Sequence, residues 1–251
     1  MKILMINPNT SRDFTQKIQK IADQYALPTT EVRAANPERG PRSIESIYDE
    51  LLSSPGTLEL AIKQLDVYDG LIIACYSDHP TIYALREITE KPVIGIAEAS
   101  MYMACMLGHT FSVVTTNDAW EPLLWDAVNH YGLRERCASV RSTGMAVLEL
   151  EQAGDQETRT KISAAAREAV QEDQAEVICL GCAGMTGLEK DLEKEIGVPV
   201  LDGVVAALKF MEGMIGYGLS TSKRRAYSHP YHKQLVNMSS MFEEVYQQQD
   251  R

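Results

Sequence analysis

Positive charge is scarce in this sequence: 24 Lys and Arg stand against 35 Asp and Glu, a formal net charge of −11. A phosphate-backbone footprint needs a basic patch, so no nucleic-acid partner is expected. Long apolar runs are missing too. None reaches the ~18 residues that a membrane helix requires, so no membrane partner is expected either. The opening MKILMINPNT has a short apolar stretch and no small-residue cleavage site, and it reads as a first strand rather than a signal peptide. Cysteine is sparse and odd in number, five in 251 residues, which does not fit a secreted disulfide framework. The expectation is a cytoplasmic chain with reduced thiols. A Gly-rich phosphate loop, a Lys-centred pyridoxal site and a metal-ligand cluster are all lacking, so neither cofactor nor metal is expected. His229 and His232, in HPYH, have no metal constellation around them and read as surface residues.

What is present is an alternation of short β-branched runs with longer amphipathic stretches, the pattern of an α/β protein with parallel sheets. Strands are expected near 2–7, 31–35, 71–75, 93–97, 111–115, 139–142, 177–181 and 198–201. Helices are expected near 11–24, 44–53, 57–66, 81–90, 119–131, 156–173 and 204–217. The spacing is doubled. Cys75 and Cys182 lie 107 residues apart, as do Pro92 and Pro199, and Asn9 and Thr116. LIIACYSDHP and VICLGCAGMT are each an apolar run ending in Cys, and KPVIGIAEA and VPVLDGVVAA follow them at equal distance. The reading is a duplicated unit: two similar lobes, each a four-stranded parallel sheet flanked by helices, with the active site in the cleft between them. The lobes span 1–97 and 98–203. Helix 204–217 is expected to return to the first lobe, and 218–251 is a polar, aromatic tail with a short helix near 236–248.

Open parallel sheets bind ligands at the carboxyl ends of their strands. Asn9, Cys75, Thr115, Thr116 and Cys182 all fall at such ends. Cys105 and Cys137 stand in apolar surroundings and read as packing residues. Cys179 makes a C-x-x-C with Cys182, but no second pair accompanies it, so a redox or metal reading is the weaker one. Cys75 and Cys182 occupy equivalent points of the two repeats, which puts one thiol on each side of a bound ligand. Racemisation needs a base on one face and an acid on the other, and a thiol serves as either. Helix-end N–H groups after each strand are expected to draw the thiol pKa from ~8.5 toward neutrality, with Gly181 and Gly184 allowing close approach.

The stretches INPNT (6–10), GPRSIES (40–46), ACYSD (74–78), REITEKPVIGIAEA (86–99), VVTT (113–116), LGCAGM (180–185) and VPVLDGVVAA (198–207) occur in order along most of the chain. In them the sequence resembles the hydantoin and allantoin racemases of the aspartate/glutamate racemase superfamily. The resemblance implies two α/β lobes, a cleft site, a homo-oligomer, and a two-cysteine mechanism without cofactor or metal, acting on a small cyclic amide. It matches Cys75 and Cys182 to the catalytic positions. It places Asn9, Ser43, Ser77, Thr116, Ala183 and Gly184 at the ring and its carbonyls, with Thr115 beside them. Asn9 also reads as a cap of the first helix, and Ser43 to Glu45 as a helix start. The family commonly has proline after the aspartate matched by Asp78; this chain has His79. Tyr76 and His79 are therefore expected to shape the rim of the pocket, although His79 also reads as a solvated loop residue and Asp78 as a helix cap. Two alternatives stay open: an open-chain amino-acid racemase or a related superfamily enzyme, and a non-catalytic two-lobed binding protein.

Overall fold

The computed structural model describes residues 1–152 and 156–247. Strands β1 (Lys2–Ile6), β2 (Glu31–Ala35), β3 (Gly70–Ile73) and β4 (Val93–Gly95) form one parallel sheet in the order β2-β1-β3-β4. Strands β5 (Phe111–Thr115), β6 (Cys137–Ser142), β7 (Val177–Leu180) and β8 (Val200–Asp202) repeat it as β6-β5-β7-β8. Strands β3, β4, β5 and β7 are buried at every position, as expected for sheets covered on both faces.

The helices are α1 (Arg12–Tyr25), α2 (Ile47–Ile62), α3 (Pro80–Ile88), α4 (Ile96–Leu107), α5 (Trp120–His130), α6 (Gln156–Gln171), α7 (Glu189–Ile196), α8 (Gly203–Tyr217) and α9 (Ser240–Gln247). Helix α8 packs on α1, β3 and β4 of the first sheet, on β8 of the second, and on α4. Helix α4 in turn touches β4, β5, β7 and β8, so it lies between the sheets. Its sequence IAEASMYMACML is apolar nearly all round, so it carries no helical stripe for a sequence reading to catch. Glu98 closes its start by accepting from the Gly95 N–H.

Residues expected to form two helices, 44–53 and 57–66, form the single helix α2, which runs through Pro55. Ser53 and Ser54 hydroxyls donate to the Glu50 carbonyl and the Thr57 hydroxyl donates to the Ser53 carbonyl. The loop before α2 presses on it: a Cβ at Gly56 would come within 2.5 Å of the Arg39 carbonyl oxygen. Tertiary contact overrides the local breaker. The expected helix near 236–248 begins at Ser240; its last residue and the rest of the tail, 248–251, lie outside the described residues. Among the described residues no helix is long and apolar enough to cross a membrane.

Candidate active site

Cys75 follows β3 in the first lobe. The Ser77 hydroxyl, buried behind it, donates to its Sγ at 3.4 Å. Cys182 follows β7 at the matching point of the second lobe, and the Gly184 N–H donates to its Sγ, also at 3.4 Å. Gly181 brings that loop onto β5: its N–H reaches the Val114 carbonyl at 2.7 Å and the Thr115 hydroxyl donates to its carbonyl at 3.2 Å. A Cβ at Gly181 would stand 2.7 Å from the Val114 oxygen, so the close approach excludes any side chain. Downstream, buried Asp202 caps α8 through the Val204 and Val205 N–H groups and also accepts from Thr186 and the Gly187 N–H. The loop carrying Cys182 is thereby fixed at both ends.

Both cysteines line one cleft, with about 450 Å³ of atom-free space including its mouth. Its wall comprises Asn7, Asn9, Phe14, Ile44, Ala74, Cys75, Tyr76, Thr116, Trp120, Val147, Gly181, Cys182, Ala183 and Gly184. No charged side chain is among these described residues. Of the residues expected from sequence, Cys75, Cys182, Asn9, Tyr76, Thr116, Ala183 and Gly184 are here together. Asn9 does not cap α1; Ser11 does, accepting from the Phe14 N–H. Asn9 Oδ1 instead accepts from Asn7 Nδ2 and the Ser11 N–H, both at 2.9 Å. Tyr76 turns its hydroxyl to Ser100, 2.8 Å away, and presents its ring to the cleft.

Ser43, Ser77, Thr115 and His79 are not in the wall. Ser43 donates to Glu45, and α2 starts only at Ile47, capped by Ser46; the neighbour Ile44 reaches the cleft instead. Glu45 crosses to the second lobe, accepting from Asn117 and the Val147 N–H. His79 is neither rim nor solvated: it is fully buried and caps α3. Its Nδ1 accepts from the Thr81 N–H and hydroxyl, so Nε2 carries the proton and donates to Ser53 Oγ at 3.0 Å. Asp78 is not the cap; it accepts from Tyr83 and meets His130 of the second lobe at 2.5 Å. Asn7, Phe14, Ile44, Trp120 and Val147 are wall residues that the sequence reading did not find. Only Asn7, two residues before Asn9 in INPNT, carried a signal.

The electrostatics reverse one expectation. Neither thiol is drawn toward neutrality. Burial pushes Cys182 up to about 11, against the opposing pull of the Gly184 N–H and the Lys17 ammonium. Burial also pushes Cys75 up, with Glu50 adding to the rise and Ser77 opposing it. The backbone N–H groups after these strands supply too little field to offset desolvation. Among the described residues no group of three His, Cys, Asp or Glu could hold a metal ion.

A family model described as Asp/Glu/hydantoin racemase matches residues 3–211. A hydantoin racemase of Pseudomonas sp. (strain NS671) is 45% identical over 246 residues, covering 96% of this chain and 97% of its own. An allantoin racemase structure from Pseudomonas fluorescens superposes with a TM-score of 0.91 at 40% identity, covering 94% of this chain and all of that one. The allantoin racemase structure from Klebsiella pneumoniae gives 0.91 at 36% identity, covering 98% of each chain.

Proposed function

The chain belongs to the Asp/Glu/hydantoin racemase family and is an isomerase; on that premise we propose that it interconverts the enantiomers of allantoin or a 5-substituted hydantoin by two-cysteine proton transfer, without a cofactor. The observation that carries the reading is the pairing of Cys75 and Cys182 at equivalent strand ends in one cleft. One sulfur, as thiolate, removes the hydrogen from the ring α-carbon. The carbanion delocalises into the adjacent carbonyl, and the other sulfur, as thiol, protonates the opposite face. A thiolate whose conjugate acid is raised by burial is the stronger base toward a carbon acid. Asn9 has its Oδ1 occupied, which leaves its amide NH2 for a ring carbonyl, with Thr116 and the 182–184 backbone as further donors.

The uncharged wall supports a neutral ring over an open-chain amino acid. A free carboxylate would require a cationic partner, and among the described residues no cation lines the cleft; Lys17, outside the lining, donates to the Gly184 carbonyl. The test follows the optical rotation of single enantiomers of allantoin and of alkyl and aryl hydantoins with purified protein. Rotation is expected to decay to zero for at least one compound. The decay should survive chelator and dialysis, and alkylation of the enzyme's thiols should abolish it. Static rotation with every compound, or activity lost to chelator and restored by a metal, overturns the proposal.

A further inference from the structure

Two thiols account for the proton exchange, yet a buried carboxyl beside one of them has no assigned task. Glu50, in the first turn of α2, is only 8% exposed, and its Oε1 has no hydrogen-bond partner among the described residues. Leaving such an oxygen dry and unpaired is costly, and the same helix offers exposed positions at Ile47, Tyr48, Leu51 and Leu52. The Glu50 carboxyl faces the Ser77 hydroxyl, which donates to Cys75 Sγ. The other groups facing it come from the loop between β3 and α3: Asp78 and Cys75 itself, with no cation among them. His79 touches α2 through Ser53 and is neutral there.

We propose that Glu50 is a positioning residue that resets Cys75 through Ser77, forming a one-sided proton relay behind the first thiol. The inference rests on the two-cysteine reading above. When Cys75 has given its proton to the carbanion, the Ser77 O–H breaks toward sulfur and a new S–H bond forms. The neutral Glu50 carboxyl passes its proton to Ser77 Oγ, so the negative charge moves from sulfur to carboxylate. The proton taken from the ring leaves Cys182 for water, and water returns one to the Glu50 carboxylate. Both sulfurs thus regain their starting states and no co-reactant is consumed; for the opposite enantiomer the sequence runs in reverse. Burial holds the Glu50 carboxyl above the usual carboxylate range, with Ser77 opposing and Asp78 adding, which favours the protonated form that the relay uses. Cys182 has no counterpart among the described residues. Its Sγ faces a backbone N–H, and the acidic group acting on it, Glu45, already accepts from Ser43, Asn117 and the Val147 N–H.

The test places Glu50→Gln, and separately Ser77→Ala, in Cys75→Ser and Cys182→Ser backgrounds. Deuterium uptake at the α-carbon of each pure enantiomer is followed by proton NMR in deuterated water. Each single-cysteine protein is expected to exchange one enantiomer. Either substitution should lower exchange at the Cys75 face at least tenfold relative to exchange at the Cys182 face. An equal loss at both faces, which a purely structural role would give, overturns the relay, and so does no loss at either. Should Glu50→Gln fail to fold, Ser77→Ala alone decides by the same ratio. Failure of both single-cysteine parents to exchange any enantiomer would instead sink the two-cysteine reading, and the relay with it.

Discussion

Lys17, on α1 of the first lobe, donates through Nζ at 2.5 Å to the carbonyl of Gly184, two residues beyond Cys182 in the second. The contact joins segments 167 residues apart. It brings a half-buried cation close enough to Cys182 for each to favour the other's charged form. Cys75 instead faces the carboxyl of Glu50. The pair of thiols is therefore symmetric in the chain and asymmetric in its surroundings.

That asymmetry predicts an order of reaction. At pH 8 iodoacetamide should label Cys182 before Cys75, read by peptide mass spectrometry. Lys17→Met removes the cation, so the Cys182 pKa rises and less thiolate is present. Labelling there should slow by about tenfold, equivalent to about 1.4 kcal/mol. Cys75 labelling should be unaffected. Slowing at both sites alike would mean that Lys17 acts on lobe packing rather than on the sulfur.

His79 predicts an acid-side loss of stability. Burial pushes its pKa down from 6.5 to about 4. Below pH 6.5 the unfolded ring takes up a proton that the folded ring refuses, so the unfolded state gains. The contribution is fully present above pH 6.5 and is lost as pH falls through about 4, on the order of 3 kcal/mol in all. Urea midpoints from pH 7 to 4 should fall less steeply for His79→Asn, which retains a capping side chain. Substrate ranking should not change, because the ring lies outside the cleft wall. Parallel curves for the two proteins would refute the assignment.

Tyr76 separates stability from specificity. Tyr76→Phe loses the hydroxyl contact to Ser100 and should cost about 1 kcal/mol of stability with the order of substrates kept. Tyr76→Leu shortens the wall and should shift kcat/KM toward bulkier 5-substituents by roughly tenfold, about 1.4 kcal/mol. A Leu variant that ranks hydantoins as the parent does would show that the ring substituent points elsewhere.

Gly181→Ala should be damaging through crowding against β5. The new methyl meets the Val114 oxygen, Val113 Cγ1 and Thr115 Cα between 2.7 and 3.1 Å, all on β5, which is buried at every position. A loss of about 1–3 kcal/mol is expected, with kcat falling as the Cys182 loop is displaced. Gly213→Ala in α8, where a Cβ meets nothing within 4 Å, is the control and should be neutral or stabilising by roughly 0.5–1 kcal/mol. Thermal melts and turnover on the two variants make the comparison.

The sequence by itself determined the eight strands, their division into two like units, and the two cysteines at matched strand ends. Those features are local or periodic: β-branched runs read as strands wherever they occur, and a 107-residue offset needs only counting. It also marked Asn9, Thr116 and the Ala183-Gly184 loop, which lie at strand ends in their own right. Tertiary structure decided the rest. His79 reads as a loop residue until Ser53, 26 residues earlier, closes over it. Two apparent helices are one, α2, which runs through Pro55 with the loop before it packed on Gly56. The thiols' rise rather than fall depends on how much water the folded chain removes from them. Lys17, Phe14 and Val147 meet the other lobe only across the cleft, and Glu50 meets the Cys75 loop only when α2 packs beside it. Desolvation and through-space charge are sums over neighbours distant along the chain, and no spacing within a lobe encodes them.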